Sequence, residues 1–75
     1  MNNKRRRRLR KVINVLNQEM EILMVELDDE DNYRDNIPEN LLESVRYANS
    51  EEASEHLNEA ISSLETAVQE IEDAL

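Results

Sequence analysis

Apolar residues recur along the last third of the chain at intervals of 4, 3, 4, 3 and 4: Leu57, Ile61, Leu64, Val68, Ile71 and Leu75. Ala53, Ala60, Ala67 and Ala74 accompany them at intervals of seven. A helix with about 3.6 residues per turn gathers this set on one narrow stripe, which has to meet another helix to leave water. The first third carries the same spacing in Leu9, Ile13, Leu16, Met20, Leu23 and Leu27. Each seam spans about 27 Å of helical rise. Two seams of equal length predict an all-α antiparallel helical hairpin. Ile61 and Val68 at a, with Leu57 and Leu64 at d, also suit a parallel two-stranded coil, so the association between chains stays open.

The first helix has a second apolar set in Val12, Val15, Ile22 and Val25. These lie off the seam, on a flank that the hairpin partner would not cover. A helix that is apolar over more than one stripe is usually buried on more than one side. The alanines would let a neighbouring helix approach closely. Together these features predict that two hairpins pack into a four-helix bundle, with a dimer as the expected state.

The remaining pattern divides the chain into a basic tip 1–11, a helix 12–30, a loop and short helix 31–49, and a helix 50–75. The first helix is expected to begin at about Lys4, with residues 1–3 frayed. Eight of the nine residues 28–36 are polar or charged. The acids Asp28, Asp29, Glu30 and Asp31 would oppose the macrodipole of a helix ending there, so a break is expected. Asn36-Ile37-Pro38-Glu39 has the form of a helix start with a capping box. Leu41, Leu42 and Val45 would give the short helix one apolar face. Asn49-Ser50-Glu51-Glu52 suggests a second capping box, although the short helix has no Gly or Pro to keep it from fusing with the last one.

Composition sharpens this reading. With 75 residues, no cysteine and two aromatics, the chain has neither a disulfide framework nor material for a large core. Oligomerisation is one of the few remaining means of stabilising so small a domain. No apolar run approaches the ~20 residues of a membrane span, so no membrane partner is expected. Nothing suggests a secretory signal, and a cytoplasmic location is expected.

Charge is divided sharply. Seven of the nine basic residues fall between Lys4 and Lys11. From Val12 onward, eighteen acids face Arg34 and Arg46 alone, a net of −16. In an antiparallel hairpin with matched seams, Leu9 lies near Leu75, Leu16 near Val68 and Leu27 near Leu57. That pairing is expected to set the tip beside Glu70, Glu72 and Asp73, so that the two charge clusters relieve one another. The alternative is that Arg5, Arg6, Arg7 and Arg8 contact a polyanion such as nucleic acid, with strongly salt-dependent affinity. No aromatic lies nearby to stack on bases, so sequence readout is not implied. A further alternative makes the acidic body the recognition surface, imitating nucleic acid in a basic groove of another protein.

Sites for chemistry are scarce. Asp28, Glu30, Asn32, Arg34, Asn36 and Glu39 match the ligand spacing of a calcium loop, but Tyr33 stands where that loop needs glycine. No metal or other cofactor is expected. His56 sits among Glu52 and Glu59 on a solvated face. Ser62 and Ser63 lack a neighbouring base, and a short hairpin offers no cleft, so no enzymatic activity is expected. A protein partner is expected to meet the 28–49 segment through Tyr33, Arg34, Arg46 and Tyr47, because irregular segments carry recognition more often than packed scaffold.

The stretch Asp35-Asn36-Ile37-Pro38-Glu39-Asn40-Leu41-Leu42-Glu43-Ser44, followed by Ala60-Ile61-Ser62-Ser63-Leu64-Glu65, resembles small uncharacterised acidic helical proteins of bacteriophages and prophages. The four-arginine run departs from their shorter, more mixed basic start. The resemblance implies a phage or prophage setting, in which small acidic binders of host or defence proteins are expected. It supplies no catalytic or binding residues.

Overall fold

Two long helices fold back on each other in a computed structural model that describes residues 1–42 and 44–75. Helix α1 runs Asn3–Asp35 and helix α2 runs Val45–Ala74, with a single 3₁₀ turn at Glu39–Leu41 between them. No strand occurs among the described residues. The hairpin is a rod of 60 × 15 × 12 Å. No helix is long and apolar enough to cross a membrane among the described residues.

The helices pack through the seams that the spacing predicts. Ile13, Met20 and Val68 form a buried cluster, with Leu16, Leu64, Ile71 and Leu75 against it. Ile61 is also buried, and Leu9, Leu23, Leu27 and Leu57 are half-buried. Residues near 13–20 thus meet residues near 68, and Arg34 meets Ser54 at the other end, so the helices are antiparallel. The core is thin: among the described residues five hydrophobic side chains are buried, and no large one is fully enclosed.

Helix boundaries differ from the local signals in four places. First, α1 begins earlier than expected. Asn2 is its N-cap, and its side-chain oxygen accepts from the Arg5 backbone N–H at 2.8 Å. Second, α1 continues through the four acids to Asp35. Asp31 is tied to Arg34 and to α2, and the basic Arg34 falls in the last turn, where the dipole favours a cation.

Third, Asn36 ends α1 and starts no helix. Its backbone N–H and its side-chain amide both donate to the Asn32 carbonyl, at 3.2 and 2.8 Å. The Ile37 N–H then closes on the Arg34 carbonyl at 3.1 Å, and Ile37 is buried. Pro38 disfavours helical geometry at Ile37, so the chain leaves the helix there.

Fourth, the expected short helix shrinks to the 3₁₀ turn, and α2 absorbs the rest. Its N-cap is Ser44, whose hydroxyl accepts from the Tyr47 N–H at 3.2 Å. The Asn49–Glu52 capping box is not used, because Asn49 and Ser50 are helix interior. Leu41, Leu42 and Val45 form no buried face and are 40%, 43% and 76% exposed. Glu43, part of the phage-like stretch, lies outside the described residues.

Candidate functional site

The seam spacing does not stop where the apolar residues stop. Continuing 3–4 from Leu27 reaches Glu30 and Arg34; continuing back from Leu57 reaches Ser54, Ser50 and Tyr47. The structure uses this extension as a polar layer between the helices. Arg34 Nη1 donates to Ser54 Oγ at 2.8 Å, to the Ser50 carbonyl at 3.1 Å and to Ser50 Oγ at 3.4 Å. Arg34 Nη2 donates to Asp31 Oδ1 at 2.7 Å, and Ser54 Oγ donates to the same oxygen at 2.7 Å.

Ser50 and Ser54 are buried, and the Arg34 side chain is only 17% exposed. Every buried side-chain polar atom among the described residues has a partner. The Ser54 hydroxyl and the Arg34 guanidinium hold the Asp31 carboxyl below its ordinary pKa, and Asp31 raises that of Arg34 in return. The layer therefore stays ionised at neutral pH. Buried polar layers of this kind are one means by which packed helices select a register.

Two of the four residues expected to meet a partner are thus drawn inward. Arg34 is held by α2, and Tyr47 is half-buried on the extended seam. Tyr33, 45% exposed, and Arg46 remain on the surface. Asp31, Ser50 and Ser54 belong to the layer and escape a reading confined to apolar positions. Extending the heptad register through polar residues is the signal that finds them.

The second feature is the outer face of α1. Val12, Val15, Ile22 and Val25 are 44%, 48%, 54% and 57% exposed, on the side away from the buried seam. A shallow open groove of about 340 Å³ runs along its basic end, lined by Arg8, Lys11, Val12, Val15 and Leu16. On α2, Ala60 and Ala74 are exposed, whereas Ala53 and Ala67 are half-buried.

The tip forms no salt bridge with the end of α2 among the described residues: no ion pair joins Lys4–Lys11 to Glu70, Glu72 or Asp73, which are all exposed. Their side chains stay solvated, since ordering two exposed long side chains offsets most of what a surface pair contributes. Arg5, Arg7 and Arg8 are exposed, while Arg6 is half-buried with its guanidinium 3.5 Å from Asn3 Oδ1. The only contact of His56 with an acid among the described residues is with Glu52, at 3.6 Å and in solvent. No group of three or more His, Asp or Glu side chains is placed to hold a metal ion among the described residues.

No protein family, curated protein or solved structure matches the chain.

Proposed function

We propose that this chain is a non-enzymatic assembly module, a helical hairpin that self-associates into a four-helix bundle and offers its turn end to a protein partner. The observation that carries the reading is the exposed apolar face of α1 at Val12, Val15, Ile22 and Val25. Such a stripe on the flank of a helix already buried along its seam is stabilised by a second packing surface. The thin core supports the same conclusion, because it leaves a lone hairpin with little apolar burial. At the turn end, Tyr33, Leu41, Leu42 and Val45 supply exposed contact area for a partner. A phage or prophage setting, in which small acidic proteins bind host proteins, is compatible with this role and belongs to the proposal.

Light scattering after size exclusion, at low and high salt, tests it. A salt-stable particle of roughly 17–18 kDa, about twice the chain mass of 8.8 kDa, is expected. A single-chain mass across the accessible concentration range overturns the reading.

A second reading has its own support, since the tip's cations have no acid partner among the described residues. In that reading they neutralise phosphates, and short duplex DNA would bind with steep salt dependence. Adding the duplex to the same experiment separates the two.

A further inference from the structure

The outer face of α1 is complementary to itself when the helix is turned end for end. From the basic end it presents Arg8, Lys11, two valines, then Ile22, Val25, Glu26 and Asp29, all exposed. The midpoint lies between Gln18 and Glu19. In an antiparallel copy where residue i faces residue 37 − i, Val12 meets Val25 and Val15 meets Ile22. Arg8 then meets Asp29, and Lys11 meets Glu26. Gln18 meets Glu19 at the axis, apolar positions meet on either side of it, and opposite charges meet at both ends.

We propose that a second copy of this chain covers the outer face of α1, helix against helix in antiparallel sense, with the two-fold axis at Gln18 and Glu19. This rests on the self-association reading and specifies its surface, direction and register. A two-fold interface requires a patch complementary to itself, and this stripe meets that condition. Its charges are available: Arg8 and Lys11 have no ion-pair partner among the described residues, nor do Glu26 and Asp29.

Competing arrangements conflict with the same residues. A parallel pairing would set two cationic tips side by side. A slip of one helical turn in one direction puts Val12 opposite Asp29 and Val15 opposite Glu26. The opposite slip puts Lys11 against Ile22 and Arg8 against Val25. Like charges or buried ions at such contacts work against association.

Surface area agrees. The hairpin exposes 5827 Å², whereas a compact protein of this mass exposes about 4,800 Å². The excess of roughly 1,000 Å² belongs to the rod as a whole, so there is surface to spare for an interface of the usual size, about 800 Å² per partner.

The test is a charge swap. Variant one carries Arg8→Glu and Lys11→Glu; variant two carries Glu26→Lys and Asp29→Lys. All four positions are exposed, and circular dichroism checks that each hairpin stays helical. Each variant alone is expected to weaken its dimer by about tenfold or more, because like charges meet at both ends. An equimolar mixture is expected to recover a heterodimer, in which all four contacts become attractive. Gln18→Cys in the otherwise cysteine-free chain is expected to form a disulfide-linked dimer on mild oxidation, whereas Val45→Cys is not. If both variants dimerise like the parent, or the mixture shows no preference for the heterodimer, the register is overturned while self-association stands. If the parent chain is a monomer throughout, both readings fall.

Discussion

Arg34 and Ser54, twenty residues apart in sequence, meet across the hairpin at 2.8 Å between Nη1 and Oγ. This contact sits one heptad beyond Leu27 on α1 and one seam step before Leu57 on α2. It joins the turn end of α1 to the first turns of α2 and ties in Asp31, which accepts from both residues. A hairpin held only by Leu, Ile and Val could slide by one heptad. One cation matched to two buried serines and an aspartate is satisfied in a single register.

Ser54→Ala removes a hydroxyl that both accepts from Arg34 and donates to Asp31. The expected loss is about 1 kcal/mol of unfolding free energy. Arg34→Ala removes the donor common to the whole layer and is expected to lower the melting temperature further. Replacing the layer with apolar residues, Arg34→Leu with Ser50→Ala and Ser54→Leu, is expected to raise the melting temperature and broaden the distribution of oligomers. Thermal unfolding followed by circular dichroism, with light scattering, separates these outcomes.

The lowered pKa of Asp31 makes its contribution pH-dependent. The unfolded chain binds this proton more readily than the folded one, so stability rises with pH between the folded and unfolded pKa values. The contribution is complete above the ordinary carboxylate value of 3.8 and disappears as pH falls through the lowered folded value. The stability difference between the parent and Asp31→Asn is expected to be constant from pH 5 to 7 (about one unit and more above the ordinary value) and to shrink in acid. Arg34, with its pKa raised, stays charged throughout this range. A difference that persists unchanged at the lowest pH would contradict the assignment.

Capping separates two candidate starts for α2. Ser44→Ala removes the hydroxyl that accepts from the Tyr47 N–H and is expected to cost about 1 kcal/mol. Asn49→Ala, at an exposed interior position of the same helix, is expected to be neutral or slightly stabilising, within about 0.5 kcal/mol. Denaturant titration of both variants reads the difference directly. Equal destabilisation would place the cap elsewhere.

In the core, Ile13→Ala is expected to cost about 2 kcal/mol, the low end for such truncations, because the thin core can partly collapse around the gap. Val45→Ala, at a side chain 76% exposed, is expected to change stability by less than about 0.5 kcal/mol. Denaturant midpoints measured under one condition compare the two.

Much of this fold is legible along the chain because the signals that set it are local. The 3–4 spacing of Leu9 to Leu27 and of Leu57 to Leu75 is a property of helical geometry alone. It specifies two amphipathic helices whose stripes must meet. The outer stripe at Val12, Val15, Ile22 and Val25 is visible for the same reason, and so is the division of charge between tip and body.

The helix ends and the fate of the polar residues depended on tertiary structure. Locally, four acids argue for a break after Glu30, and Asn49 makes a good cap. In the folded hairpin, Asp31 and Arg34 find Ser50 and Ser54 on the opposing helix, which carries α1 on to Asp35 and keeps Ser50 in the interior of α2. The same contacts draw Arg34 off the surface, while Glu70, Glu72 and Asp73 stay exposed and form no salt bridge with the tip among the described residues. A hydrogen bond between residues twenty apart exists only after the chain has folded back, and its contribution is greatest where burial removes water. Neighbouring residues fix which stripe is apolar; only the packed pair of helices decides which polar groups are enclosed with it.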